Sequence, residues 1–419
     1  MEVLEIRGGH KIKGNINLSG AKNAALPILF GSLLCSEAVE IENVPTELAD
    51  IRVTIELLRE LGADVEIESK TVRIDPAGVN VTDPPHELTS KIRSSLLLLS
   101  ILLVKMGKVR LSLPGGCAIG KRKFDLHIAG LSAMGADIEA DQRGISGVRK
   151  NDFRGADVDF YTPTVTGTEN VILGACLARG TTRIKNANTV PEISDFAEFI
   201  NSMGGQVKVS SRYIEIEGVD ELKGTRYRVM DGNDEAVTYM IAAGMTGGEV
   251  RINHFNLSTI KSDVQYLREA GMEIFEWGDN VYVSGVKELR AFDMFTAPYP
   301  GVNSDLQPLF SALALAAPGE STITDQVFME RFEYVKQLRS FGADIRNFGN
   351  CAVIHGGKPI RGTDVSATDL RGGTAMVLAG LIAEGKTLVR NVYQIDRGYE
   401  KIEEKLGKLN ADIQRIGIS

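Results

Sequence analysis

A chain of 419 residues, 43% apolar and 24% charged, is longer than one hydrophobic core usually organises, so two globular domains are expected. Its net charge of −8 argues against general affinity for nucleic acid or an anionic membrane, and any anion-binding site must therefore be local. The four cysteines, Cys35, Cys117, Cys176 and Cys351, are scattered without a CxxC pair, which fits reduced cytosolic thiols and implies neither a disulfide framework nor a metal site.

The opening MEVLEIRGGHKIKG lacks the apolar run of an export signal, so a cytoplasmic location is expected. In LSGAKNAALPILF, Lys22 and Asn23 stand directly before an apolar helix. Such a turn can offer backbone N–H groups and an ammonium to an anion. The plain alternative is an N-capping Asn beside an exposed Lys. Arg93 heads the run SSLLLLSILLV, which is too short to cross a bilayer that needs about 20 residues and reads as a buried helix. Taken alone, Arg93 is an unremarkable surface cation.

The stretch LPGGCAIGKRKFD then places Cys117 among glycines and just ahead of Lys121, Arg122 and Lys123. Neighbouring cations lower a thiol's pKa and make it reactive, whereas most free cysteines are small buried hydrophobes. Further on, Asp305 in PGVNSDLQPLF and Asp369 in TDLRGG precede apolar helices, where N-capping is the simple alternative to a functional role. Arg331, Arg371 and Arg397, in MERFEY, DLRGG and IDRGYE, recur at comparable points and suggest a shared pocket.

One phrase recurs six times: ELLRELGADVEIE, GLSAMGADIEA, EFINSMGGQVKVS, YLREAGMEIFE, QLRSFGADIRN and KLGKLNADIQR. Each copy reads as an amphipathic helix, a C′ residue in the left-handed region (Gly62, Gly135, Gly204, Gly271, Gly342 or Asn410), then an alternating strand. The period is near 70 residues, too long for a solenoid. With the short apolar runs VEIENV, VRLSLP, TTRIKNA, EVRINHF, STITDQV and TLVRNV, the chain becomes six βα-type units, divisible into two α/β domains of three. Periodicity alone leaves open whether helices or sheets lie inside. A duplicated scaffold without chemistry would show the same pattern, but would need none of the residues that break it.

Together LSGAKNAALPILF, LPGGCAIG, PEI-D, TAPYP, SDLQ, VFMERF, ATDLRGG and IDRGYE resemble the enolpyruvyl transferases that act on UDP-N-acetylglucosamine, from about residue 3 to the C-terminus. The resemblance implies two inside-out α/β barrel domains of three repeats each: one of residues 22–229, the other joining 1–21 to 230–419, with ligands bound between them. It implies transfer of the enolpyruvyl group of phosphoenolpyruvate to the 3′-hydroxyl of UDP-N-acetylglucosamine, with release of phosphate and no metal or organic cofactor.

By motif, Cys117 matches the general acid, Asp305 the acceptor of the hydroxyl proton, and Lys22, Arg122 and Arg397 the cations around phosphate and carboxylate. Arg93, Arg331 and Arg371 match further partners of substrate or loop, with Asp369 beside them, and Asn23 a sugar contact. The segment Arg122, Lys123, Phe124, Asp125 and Leu126 matches the uridine diphosphate end, together with Thr164 and Val165, and Val327 matches a backbone contact to substrate.

Three departures stand out. Arg122-Lys123-Phe124-Asp125 replaces Arg-Pro-aliphatic-Asp, Thr164-Val165-Thr166-Gly167-Thr168 replaces Ser-Val-Gly-Ala-Thr, and Asp231-Gly-Asn-Asp-Glu235 replaces an Asp-Arg-x-Glu phrase. All lie on or near the nucleotide-sugar side. A nucleoside or shikimate 3-phosphate acceptor, or a non-catalytic paralogue that binds nucleotide sugar, are the alternatives.

Overall fold

The computed structural model describes residues 2–115, 123–285 and 288–417. The six repeated phrases are six amphipathic helices, Ala49–Glu60, Asp125–Ala133, Pro191–Ser202, Lys261–Glu269, Tyr334–Ser340 and Ile402–Lys408. Each hands over to a strand through its Gly or Asn marker, and all six markers have positive φ, from 73° at Asn410 to 113° at Gly135. A left-handed residue at that point ends the helix and turns the chain into the next strand. Asp64–Glu68, for example, follows Gly62 and pairs antiparallel with Thr71–Asp75.

Six other helical segments are apolar over most of their surface. Lys22–Gly31, Leu98–Met106 and Val165–Ala175 are buried almost throughout, as are Asn233–Thr246, Gln307–Ala316 and Leu370–Ile382. A helix without a polar face has to be surrounded by protein. These helices therefore take the interior, and the sheets wrap them with one face to solvent, as the single buried residue, Val65, of Asp64–Glu68 illustrates. That settles the choice periodicity left open, in favour of helices inside.

The chain forms two compact units, one of residues 20–115 with 123–230 and the other of 2–19 with 231–417. Each has its own apolar core. Five sheets are four-stranded and one three-stranded among the described residues, and the four-stranded ones each add one parallel strand to an antiparallel set, as Lys13–Ile16 does beside Glu249–Ile252. Where the chain changes unit, Ala21 N–H donates to Met230 O in the first and Gly232 N–H to Ser19 O in the second, both at 2.8 Å. No helix among the described residues is long and apolar enough to cross a membrane.

Interior helices have one consequence for function. Their first turns carry most of the residues that break the repeat: Lys22 and Asn23, the 3-10 turn Arg93–Leu97, Thr164 and Val165, the 3-10 turn Ser304–Leu306 with Asp305, and Asp369 with Arg371. A helix N-terminus presents unsatisfied N–H groups and the positive end of the dipole, so such positions suit anionic groups.

Candidate active site

In the unit that contains Lys22, that residue opens its helix after Ala21, so Asn23 is not the cap. Nor is Lys22 a solvated cation: its Nζ lies 3.3 Å from Asp50 Oδ2, in the first turn of Ala49–Glu60, and both side chains are largely buried. Asn23 is half-buried beside it. Arg93 Nη2 donates to Lys123 O at 2.7 Å and so ties the turn Arg93–Leu97 to the start of the uridine-type motif. Phe124 precedes Asp125–Ala133 and packs on the core, while Leu126 is buried. Exposed Asp125 accepts a hydrogen bond from Tyr161 Oη at 2.8 Å. Cys117 and Arg122 lie outside the described residues.

Thr164 caps its helix by accepting from Gly167 N–H at 3.3 Å. A Cβ at residue 167 would meet Thr164 Cγ2 at 2.4 Å, so glycine is required beside this cap. Thr166, in the same turn, contacts His127 Nε2 at 3.2 Å, and Asn170 Nδ2 donates to His127 Nδ1 at 2.7 Å. With Nδ1 accepting, the imidazole is neutral with its proton on Nε2. Burial, reinforced by the charge of Arg93, pushes His127 down to about 3. Sequence reasoning assigned this histidine no role. It joins Asp125–Ala133 to Val165–Ala175 as a fixed dipole and is no acid–base catalyst at neutral pH.

The other unit holds a denser constellation. Asp305 does not cap its own turn; Asn303 does, accepting from Asp305 N–H at 3.0 Å. The carboxylate of Asp305 is thereby left to other groups, and it is 23% exposed. Arg331 Nη1 donates to its Oδ1 at 2.6 Å, and Arg371 approaches Oδ2 through Nη2 at 3.1 Å and Nε at 3.3 Å. Asp369, by contrast, is the N-cap of Leu370–Ile382, with Oδ1 accepting from Arg371 N–H at 3.0 Å and Gly372 N–H at 3.2 Å. Its Oδ1 also lies 3.8 Å from Arg331.

Arg331 and Arg371 are both 3% exposed at their side chains. Burial works against their charge, but Asp305 and Asp369 around Arg331, and Asp234, Tyr399 and Asp305 around Arg371, more than offset it and keep both above the ordinary arginine value. Arg397 ends the short helix Tyr393–Asp396, is largely buried, and has Gln394 Oε1 at 3.4 Å from Nη1. Val327 is exposed, with its N–H directed at Asp325 Oδ1 at 2.9 Å.

Asp325 is a residue that sequence reasoning missed. Fully buried, it accepts from Thr296 Oγ1 at 2.8 Å, Ser304 Oγ at 2.6 Å and the N–H groups of Val327 and Phe328 at 2.9 and 2.8 Å. Four donors on one carboxylate tie the turn that carries Asp305 to the loop that leads to Arg331. Its only signal in sequence is an acidic residue inside the apolar run STITDQV, just after its β-branched part.

The arrangement in this unit is a carboxylate held in one orientation by two buried guanidiniums at a helix N-terminus, which makes it a fixed hydrogen-bond acceptor for a polar group brought beside it. No cluster of metal-ligating side chains is present among the described residues.

Solved structures with the same fold include the enolpyruvyl transferase NikO from Streptomyces tendae, which matches with a TM-score of 0.89 at 24% identity over 99% of this chain and 98% of that one. An EPSP synthase from Acinetobacter baumannii matches with a TM-score of 0.79 at 17% identity, each chain covered in full. The family model for EPSP synthase (3-phosphoshikimate 1-carboxyvinyltransferase) matches residues 6–406. Curated relatives named UDP-N-acetylglucosamine 1-carboxyvinyltransferase include one from Trichlorobacter lovleyi, 43% identical with 99% of each chain covered, and one from Halorhodospira halophila, 44% identical over 99% of this chain and 100% of that protein. With similarity of that extent in both sequence and fold, the chain belongs to the enolpyruvyl transferase family, among the UDP-N-acetylglucosamine 1-carboxyvinyltransferases.

Proposed function

We propose that the chain transfers the enolpyruvyl group of phosphoenolpyruvate to the 3′-hydroxyl of UDP-N-acetylglucosamine and releases phosphate, in the cytoplasm, as the first committed step of peptidoglycan precursor synthesis. The observation that carries the reading is Asp305 at a helix N-terminus between Arg331 and Arg371, in a chain whose relatives at 41–44% identity over nearly its full length bear that enzyme name.

In the addition step Cys117 gives a proton to C3 of phosphoenolpyruvate while C2 becomes cation-like. The 3′-oxygen bonds to C2 as Asp305 takes its proton. In the elimination step C3 loses a proton and the C2–O bond to phosphate breaks, restoring the double bond in the transferred group. Lys22, Arg122 and Arg397 bind phosphate and carboxylate, since the leaving phosphate and the retained carboxylate both carry charge that a buried cation stabilises. Asn23, Arg93, Lys123, Phe124, Asp125, Leu126, Thr164, Val165 and Val327 contact the nucleotide sugar, and Arg331, Asp369 and Arg371 support Asp305. The domains are residues 22–229 and 1–21 with 230–419; the compact units, which change over after Ser19 and after Met230, support these boundaries.

The family model carries the name of a shikimate-phosphate enzyme, so the acceptor is the point to test. Phosphate release from phosphoenolpyruvate should require UDP-N-acetylglucosamine. Release with shikimate 3-phosphate, UMP or UDP-glucose at a comparable rate would overturn the acceptor assignment.

A further inference from the structure

The segment Asp231-Gly-Asn-Asp-Glu235, which departs from the family phrase, opens the interior helix Asn233–Thr246 and puts Asp234 in its first turn. Although 137 residues away in sequence, Asp234 Oδ2 is an acceptor for Arg371 Nη2, the same nitrogen that reaches Asp305 Oδ2 at 3.1 Å. Arg371 Nη1 meanwhile donates to Tyr399 Oη at 3.1 Å, and the guanidinium lies 5.5 Å from the Tyr399 ring centroid. Tyr399 Oη is in turn 2.7 Å from Thr238 Oγ1, one turn along Asp234's own helix. Arg371 is thus fastened on the side of Asp234, and only Nε and one N–H of Nη2 are turned toward Asp305.

Among the described residues, the charged and titratable groups seen against Arg371 and Asp305 include Arg331, Asp369 at the cap of Leu370–Ile382, Asp234 and Tyr399. Asp234 draws on the same Arg371 nitrogen as Asp305, as Asp369 draws on Arg331. Take Asp234 away and more of the charge of Arg371 would act on Asp305, and a base held more tightly by cations gives up less of its electron pair to a proton.

We propose that Asp234 is a positioning residue for the transfer: it shares Arg371 with Asp305, so that the guanidinium steers Asp305 without neutralising it and the hydroxyl proton can be taken up. The proposal rests on the reading of Asp305 as the base. It also assigns a purpose to a segment that, read as sequence, registers as a departure from the family's Asp-Arg-x-Glu phrase.

The test is the pH dependence of kcat for the parent, Asp234→Asn and Asp234→Glu, with KM for both substrates and a thermal melt of each protein. Removing the charge of Asp234 makes Asp305 ionise more easily, so the acid limb of the Asn variant should move about one unit lower. Plateau kcat should fall about threefold or more because the base is weaker, with KM values near parental. The Glu variant should restore the limb. An unmoved limb in an Asn variant that melts like the parent would overturn the proposal, as would a loss expressed only in KM. Should the Asn variant not fold, the Glu variant decides: with the charge retained its limb must stay at the parental position, and a displaced limb overturns the idea. Asp305→Asn separates the two readings. Near-parental turnover there removes the base assignment and this proposal together, whereas lost turnover with an unmoved Asp234→Asn limb removes the role of Asp234 alone.

Discussion

Glu169 sits on the interior helix Val165–Ala175 and is 2% exposed, with Glu192 of Pro191–Ser202 as its charged neighbour. Burial first, then the charge of Glu192, push it from an ordinary value of 4.5 up to about 8. Between those values the unfolded chain has released its proton and the folded chain keeps it. Stability is therefore full below pH 4.5 and is lost as pH rises through about 8.

At about 1.4 kcal/mol per unit, holding that proton costs about 1 kcal/mol near pH ~5.5, about 3 near pH ~7 and about 5 above pH ~8. Glu169→Gln keeps the shape and removes the linkage. An amide buried there adds its own offset of about 1–3 kcal/mol, but that offset does not vary with pH. The variant should therefore gain about 3 kcal/mol on the parent between pH ~5.5 and pH ~8.5. Urea unfolding followed by far-UV circular dichroism reads this difference, while fluorescence of Trp277, the single tryptophan and part of the other unit, separates the two transitions. A difference that stays flat across that pH range would refute the argument, since only a proton held by the folded state can tilt it.

Asp305→Asn should lower turnover by about 10²–10⁴-fold while both substrates still bind, because the amide keeps the shape and one acceptor oxygen but cannot accept a proton; turnover within a few-fold of parental excludes Asp305 as base. Arg397→Ala should weaken phosphoenolpyruvate far more than UDP-N-acetylglucosamine, since it deletes one cation from an anion clamp, and equal losses in separate titrations would mean a role in the fold instead. A small phosphonate epoxide such as fosfomycin should alkylate Cys117 alone. Burial pushes the thiols of Cys35 and Cys176 up to about 12, so the thiolate needed for attack is scarce there, and peptide mass spectrometry showing label on either of them would contradict the assignment.

Within the site, sequence reached some residues and misjudged the surroundings of others. Asp305 and Asp369 both read as possible caps ahead of apolar helices. Packing separates them: Asn303 takes the capping position before Asp305, whereas Asp369 holds two N–H groups of its own helix. Lys22 read alone as an exposed cation lies against Asp50, because the helix Ala49–Glu60 begins beside it. Neither distinction follows from composition, since a cap is decided by backbone angles within one turn and an ion pair by what packs opposite.

The sequence by itself determined the six-fold repeat, the amphipathic helices and the left-handed residue that ends each of them, because these depend on contacts within a few residues and on the backbone freedom of Gly and Asn. Tertiary structure alone decided that the apolar helices go inside, that Asp325 ties the Asp305 turn to the Arg331 loop, and that Arg371 is shared between Asp305, 66 residues away, and Asp234, 137 residues away. Periodicity reports which face of an element avoids water. It carries no record of which distant element will cover that face, and the electrostatics of a buried carboxylate are set by that neighbour.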